Sequence, residues 1–169
     1  MLLKLRKMPS FITSTNKLIK ILKGYLIKYY YLRIYWRRFS LRKVINTENT
    51  PNAVGPYSDA VRVGNLLVCG GQGPIDPVTQ RVYSGEFEQE VRITMNNLKA
   101  AVEAGGSSME NLVKVNVYLT DINDFESFGK VYREFFKDRY NMPTRVLCQV
   151  AGLWGGIRVE VEALAYVED

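Results

Sequence analysis

The 169-residue sequence predicts an α+β fold, a mixed sheet with two helices packed on one of its faces. Three observations predict it. Several short runs alternate apolar and polar residues at period two. Two longer runs repeat apolar residues at spacings of three and four. Gly- and Pro-rich stretches separate them. Hydrophobic residues make up 47% of the chain and charged residues 24%, the balance of a globular protein rather than a disordered one.

The elements follow in order. Ala60–Val63 and Leu66–Gly70 flank Gly64-Asn65, a two-residue hairpin signal in which Gly supplies the positive φ. Residues 71–84, rich in Gly, Pro and Asp, read as a loop. Phe87, Val91, Met95, Leu98 and Val102 then predict a helix, with Ser84 as its cap, Glu86 and Glu88 at its positive end, and Gly105-Gly106 as its stop. Leu112–Leu119 is a strand with Val113, Val115, Val117 and Leu119 on one face. A second helix runs from Asp124, its cap, to Tyr140. Phe125, Phe128, Tyr132 and Phe135 form its apolar stripe, and Asn141-Met142-Pro143 ends it. Strands Thr144–Val150 and Arg158–Val167, joined by Gly152 to Gly156, complete the chain. The order β-β-α-β-α-β-β leaves the second sheet face uncovered, and a naked face calls for a partner copy.

The net charge of +6 averages two unlike pieces. Residues 1–43 carry 12 of the 23 Lys and Arg and none of the 17 Asp and Glu. Residues 44–169, the predicted domain, therefore hold 11 basic and 17 acidic groups. The leader has no 18-residue apolar run for a membrane span and no unbroken apolar core for a secretory signal. A basic, acid-free, partly amphipathic leader has the composition of an organelle transit peptide, mitochondrial or plastid. Two other readings stand beside it. One is a basic arm for a membrane surface or nucleic acid, because Tyr29, Tyr30, Tyr31, Tyr35 and Trp36 interleave with Lys28, Arg33, Arg37 and Arg38. The other is a plain disordered tail on a cytoplasmic protein.

The chain contains no histidine, which excludes Ser-His-Asp and Cys-His catalysis and the HExxH zinc site. Two cysteines, Cys69 and Cys148, are too few for a disulfide framework or a four-cysteine zinc site, and their apolar surroundings read as inert thiols. No Asp/Glu cluster has Mg²⁺ or Ca²⁺ spacing; Asp121 and Asp124 read as caps. Acid–base chemistry falls to carboxylates, Tyr, Lys, Cys or water.

Period two places Arg145, Leu147 and Gln149 on one side of their strand, and Arg158, Glu160 and Glu162 on one side of the next. A guanidinium that grips a carboxylate and a half-dry Glu that manages a water would then converge on the sheet. The plain alternative is a solvated face with cross-strand ion pairs, and periodicity alone favours it. Gly55-Pro56-Tyr57-Ser58 reads as a turn, and Gly70-Gly71-Gln72-Gly73 as either a ligand-facing glycine cluster or a bulge. The latter is neither GxGxxG nor a Walker loop.

These features occur together in a pattern that resembles the RidA/YjgF family, the reactive-intermediate imine deaminases, also known as L-PSP endoribonucleases. Residues 54–61, VGPYSDAV, resemble the family's IGPYSxAV opening. Gly70-Gly71-Gln72 with Asp76-Pro77 is similar to its SGQ…DP segment, and residues 120–125, TDINDF, to its DINDF motif. Pro143-Thr144-Arg145, Gln149-Val150-Ala151 and residues 158–163, RVEVEA, resemble its C-terminal signature. The resemblance spans about residues 44–167.

It implies a chorismate-mutase-like fold, a homotrimer whose sheets form a central barrel, and three clefts between neighbours. It also implies hydrolysis of 2-imino acids, released by pyridoxal-phosphate enzymes, to 2-keto acids and ammonia, with no metal and no cofactor. By matching position, Arg145 binds the substrate carboxylate, Glu160 activates the water, Tyr57 hydrogen-bonds in the cleft, and Gly71, Gly70 and Leu147 contact substrate. The chain departs from the pattern at three positions. Gly70 replaces a Ser, Leu147 replaces a smaller residue, and Leu153-Trp154 stands where the family has Leu-Pro. Two further functions remain open. One is an RNA-acting protein, which the acidic body opposes. The other is a non-catalytic ligand-binding trimer, suggested by the three departures.

Overall fold

The computed structural model describes residues 22–29 and 42–168. The chain divides into two units, Met1–Leu41 and Arg42–Asp169. In the first, residues 22–29 are helical (α1) and exposed. Tyr30, Tyr31, Arg33, Tyr35, Trp36, Arg37 and Arg38 lie outside the described residues, and most of the targeting and binding-arm readings with them. Among the described residues, no helix is long and apolar enough to cross a membrane.

The second unit is a six-stranded sheet. Its strands are β1 (Arg42–Ile45), β2 (Ala60–Val63), β3 (Leu66–Gln72), β4 (Leu112–Leu119), β5 (Thr144–Gln149) and β6 (Val159–Tyr166). They lie in the order β1-β2-β3-β6-β4-β5. β4 and β5 run parallel, and all other neighbours are antiparallel. Helices α2 (Phe87–Ala104) and α3 (Phe125–Tyr132) pack against each other, with α2 over β3 and β6. The mixed sheet and its helical layer follow the sequence pattern. β1 does not: it takes in Arg42 and Lys43, which the sequence assigns to the leader. An edge strand needs only its backbone for pairing, and exposed basic side chains suit it.

The predicted stripe of α2 is its buried face: Val91, Met95, Leu98 and Val102 are fully buried. Burying each contributes about 1.5–3 kcal/mol. Gly64, at φ 58°, makes the expected hairpin turn between β2 and β3.

Four local expectations fail. Ser84 does not cap α2. The helix starts after Glu86, whose carbonyl accepts from the Gln89 and Glu90 amides, and no side chain caps it. Arg158 fixes this start, donating to the Gly85 carbonyl and stacking over the Phe87 ring at 5.3 Å. Nor does the Asp124 side chain cap α3; Asp121 caps instead, accepting from the Asn123 amide at 2.9 Å in a preceding 3-10 turn.

The second helix also ends at Tyr132, not Tyr140, and continues as a 3-10 turn, Arg133–Phe135. Phe135 and Phe136 both pack on the core, with the Phe136 ring 4.8 Å from that of Tyr132. Consecutive residues of an α-helix diverge by about 100°, so both rings reach inward only once the helix stops. Finally, Val113 is exposed and Leu112 is buried in its place. A register shift against β6 between Leu112 and Lys114 rotates the strand start by one residue.

Candidate functional site

β6 alternates strictly: Val159, Val161, Ala163 and Ala165 are buried under the helices, while Glu160, Glu162, Leu164 and Tyr166 face the open side. Glu160 is half-buried there. Burial, and next the neighbouring Glu162 charge, push its carboxyl above the usual carboxylate range. Glu162 is held by two donors: Asn116 Nδ2 at 2.7 Å and the Tyr118 hydroxyl at 2.9 Å, both to Oε1. That bond to Glu162 is the main cause that raises the Tyr118 phenol.

Gly71 lies at an irregularity of the β3–β6 ladder between Cys69 and Gln72. A Cβ there would collide with the Glu160 carboxylate, so glycine leaves that side chain its place against the strand. Gly70 behaves differently from expectation. Its amide already donates to the Asp59 carbonyl at 2.8 Å, so it presents no free donor. The same bond seats the Tyr57 turn beside the glycines. Buried Asp59 anchors that turn, accepting from the Thr47 amide at 2.9 Å and the Thr50 hydroxyl at 2.8 Å. Tyr57 is exposed, and its hydroxyl accepts from the Val54 amide at 3.2 Å, leaving its proton available.

Arg145 lies elsewhere. It pairs with Val115, which is fully buried on the helical side, whereas Glu160 pairs with Tyr118 on the open side. The Arg145 guanidinium sits over α3, 4.9 Å from the Tyr132 ring centre, 5.6 Å from Phe128 and 5.7 Å from Phe125. Face stacking holds the plane and leaves its N–H edges for an anion. Among the described residues, no carboxylate pairs with it. It borders an open groove of about 800 Å³, with Phe125, Tyr132, Met142 and Pro143 also in the lining. Burial pushes the Tyr132 phenol up to about 12, against the opposing Arg145 charge. Leu147 is on the Arg145 side, half-buried against the core.

The predicted constellation therefore splits. Gly71 and Glu160 meet, with the Tyr57 turn beside Gly70. Arg145 and Leu147 occupy the opposite sheet face, and Arg158 leaves the Glu160 row to bond buried Glu90 at 2.8 Å. Within one chain, guanidinium and carboxylate do not converge. Sequence reasoning missed the Asn116–Glu162–Tyr118 network, because Tyr118 reaches diagonally past its ladder partner. It also missed the aromatic bed of Arg145, although the Phe125, Phe128 and Tyr132 stripe was its signal. Cys69 is buried and its thiol is pushed up to about 12, while Cys148 is half-buried. Among the described residues, no three His, Cys, Asp or Glu side chains gather as a metal requires.

A family profile described as Endoribonuclease L-PSP matches residues 47–167. The human 2-iminobutanoate/2-iminopropanoate deaminase is 39% identical over 125 residues, 74% of this chain and 90% of that protein. A RutC family protein of Pyrococcus horikoshii is 42% identical over 128 residues, 76% of this chain and all of that one. Among solved structures, Escherichia coli TdcF with bound serine aligns at a TM-score of 0.70 and 35% identity, covering 75% of this chain and 99% of that one.

Proposed function

The chain belongs to the RidA/YjgF family, whose profile is described as Endoribonuclease L-PSP, and on that premise we propose that it hydrolyses 2-imino acids to 2-keto acids and ammonia in clefts between the subunits of a homotrimer. One observation carries this reading. Arg145 offers a free anion-binding edge on one sheet face, and Glu160 offers a half-dry carboxylate on the other. Two copies set side by side supply both to one substrate.

An apolar row on the open face supports the assembly. Val44, Val61, Val68 and Leu164 are ladder neighbours across four strands, and Val44 and Val68 are exposed. Such a patch marks a contact surface.

The chemistry is modest. Arg145 grips the substrate carboxylate in two-pronged fashion. Glu160, as carboxylate, takes a proton from a water whose oxygen bonds to the imine carbon and passes it to the imine nitrogen, which gives a carbinolamine. Glu160 then takes the hydroxyl proton as the carbon–oxygen double bond forms and delivers it to the nitrogen, which leaves as ammonia. Tyr57 donates its free proton in the cleft, and Gly71 leaves room for the carboxylate. The raised proton affinity makes Glu160 a better base near neutrality. Residues 44–169 hold 17 acidic groups against 11 basic, which gives an RNA-acting reading less support. For residues 1–43 we propose organelle targeting, tested by the mature N-terminus in cells.

The test is a trapping assay. A threonine dehydratase generates the imine, and semicarbazide captures what survives. The protein is expected to lower the captured yield. Arg145→Ala is expected to lose at least about 30-fold in kcat/KM, the equivalent of about 2 kcal/mol for a lost charged contact, while the oligomer persists. Retained turnover in that variant contradicts the assignment.

A further inference from the structure

Glu162 is left unused by the proposed reaction. It follows Glu160 by two residues on the same face of β6, so the two carboxylates project side by side at a strand spacing of about 7 Å. It is also immobilised. Asn116 Nδ2 and the Tyr118 hydroxyl both donate to its Oε1, from the strand next to β6. Tyr118 is the ladder partner of Glu160, yet its hydroxyl bypasses that carboxylate and secures Glu162. The two donors hold the Glu162 charge in place, half-buried, where solvent screens it less than at an open surface.

On the premise of the proposed reaction, we propose that Glu162 is a positioning residue for Glu160: its fixed charge, held by Asn116 and Tyr118, opposes charge on the neighbouring carboxylate and makes it the stronger proton acceptor. The other groups on this face are few. β4 brings Tyr118 and, beside Glu162, Lys114; β5 brings Cys148 opposite Tyr118; β3 brings Gly71, which does not titrate. Arg158 is engaged by Glu90, away from this row. Burial and the Glu162 charge both favour the neutral form of Glu160, the direction the proposal requires.

The experiment is a ¹³C-carboxyl NMR titration of the full chain labelled at Glu, the Glu160 resonance being assigned by its loss in Glu160→Gln. In the wild type the Glu160 midpoint is expected above the usual carboxylate range. In Glu162→Gln the Glu160 midpoint is expected to move to lower pH, and Glu162→Asp, which keeps the charge, to restore it. In the trapping assay, the acid limb of kcat/KM moves down in Glu162→Gln. Its plateau falls roughly threefold while KM holds, as a weaker base implies. A wild-type Glu160 midpoint within the usual carboxylate range overturns the proposal. So does a midpoint that Glu162→Gln leaves in place, or that Glu162→Asp shifts as far as Gln does. The titration needs no turnover, so a Glu160 midpoint that depends on the Glu162 charge, without imine hydrolysis, rejects the reaction and keeps the positioning role.

Discussion

Glu160 sits where a carboxylate is costly. Its charge is half removed from water and lies beside a second negative charge, so the folded state favours its protonated form. The folded-state pKa is raised above the unfolded one, and the ionised group therefore weakens the fold once pH rises through the usual carboxylate range. Glu160→Gln removes that penalty. Its melting temperature is expected to match the wild type at low pH and to exceed it at neutrality, while hydrolysis is lost. Melting curves at both pH values check this, and an equal or lower neutral value contradicts it. Gly71→Ala tests the adjacent contact. The added methyl collides with the Glu160 carboxylate, which must swing away. Activity in the trapping assay is expected to fall at least about tenfold, the cost of misplacing a proton-transfer group, with little change in stability. The sequence named both residues through their motif, but not their contact. The irregular register between Cys69 and Gln72, which no period-two count reveals, brings Gly71 against Glu160.

The elements show why some of the fold was legible and some was not. The stripe of α2 and the alternation of β6 were plain, because each buries one face against a continuous core. Irregular sites were hidden. Val113 turned outward because the ladder slips there, and α3 stopped early because Phe135 and Phe136 both turn inward. The start of α2 depends on Arg158, 71 positions beyond Phe87 in the sequence but stacked on its ring. Arg158 bonds Glu90, whose side chain is 3% exposed, and thereby ties α2 to the strand that carries Glu160. Arg158→Met leaves that carboxylate buried and unpaired. The expected loss is about 1–3 kcal/mol, less than for a fully enclosed pair because the Arg158 side chain is 40% exposed. Urea unfolding measures it, and an unchanged midpoint contradicts the tie.

For the whole molecule, the governing fact is that the sheet puts Arg145 and Glu160 on opposite faces. The sequence foresaw an open face, and its motifs singled out Arg145 and Glu160 as candidates. It placed them together because alternation assigns faces within each strand and does not show how two strands align. The observed ladders align Arg145 with buried Val115 and Glu160 with Tyr118, on opposite sides. A cleft that uses both must join two chains, and the apolar row from Val44 to Leu164 provides a surface for joining them. The claim can be tested without a structure of the assembly. Arg145→Ala and Glu160→Gln are purified separately, shown to be trimeric by light scattering, then unfolded together and reassembled at equal amounts. Each variant alone is expected to lower the trapped imine far less than the wild type does. In the mixture, roughly a quarter of the clefts regain both groups, from two different chains, and hydrolysis returns to about that fraction of wild type. If the mixture stays inactive while wild-type protein survives the same treatment, Arg145 and Glu160 do not share a cleft between chains.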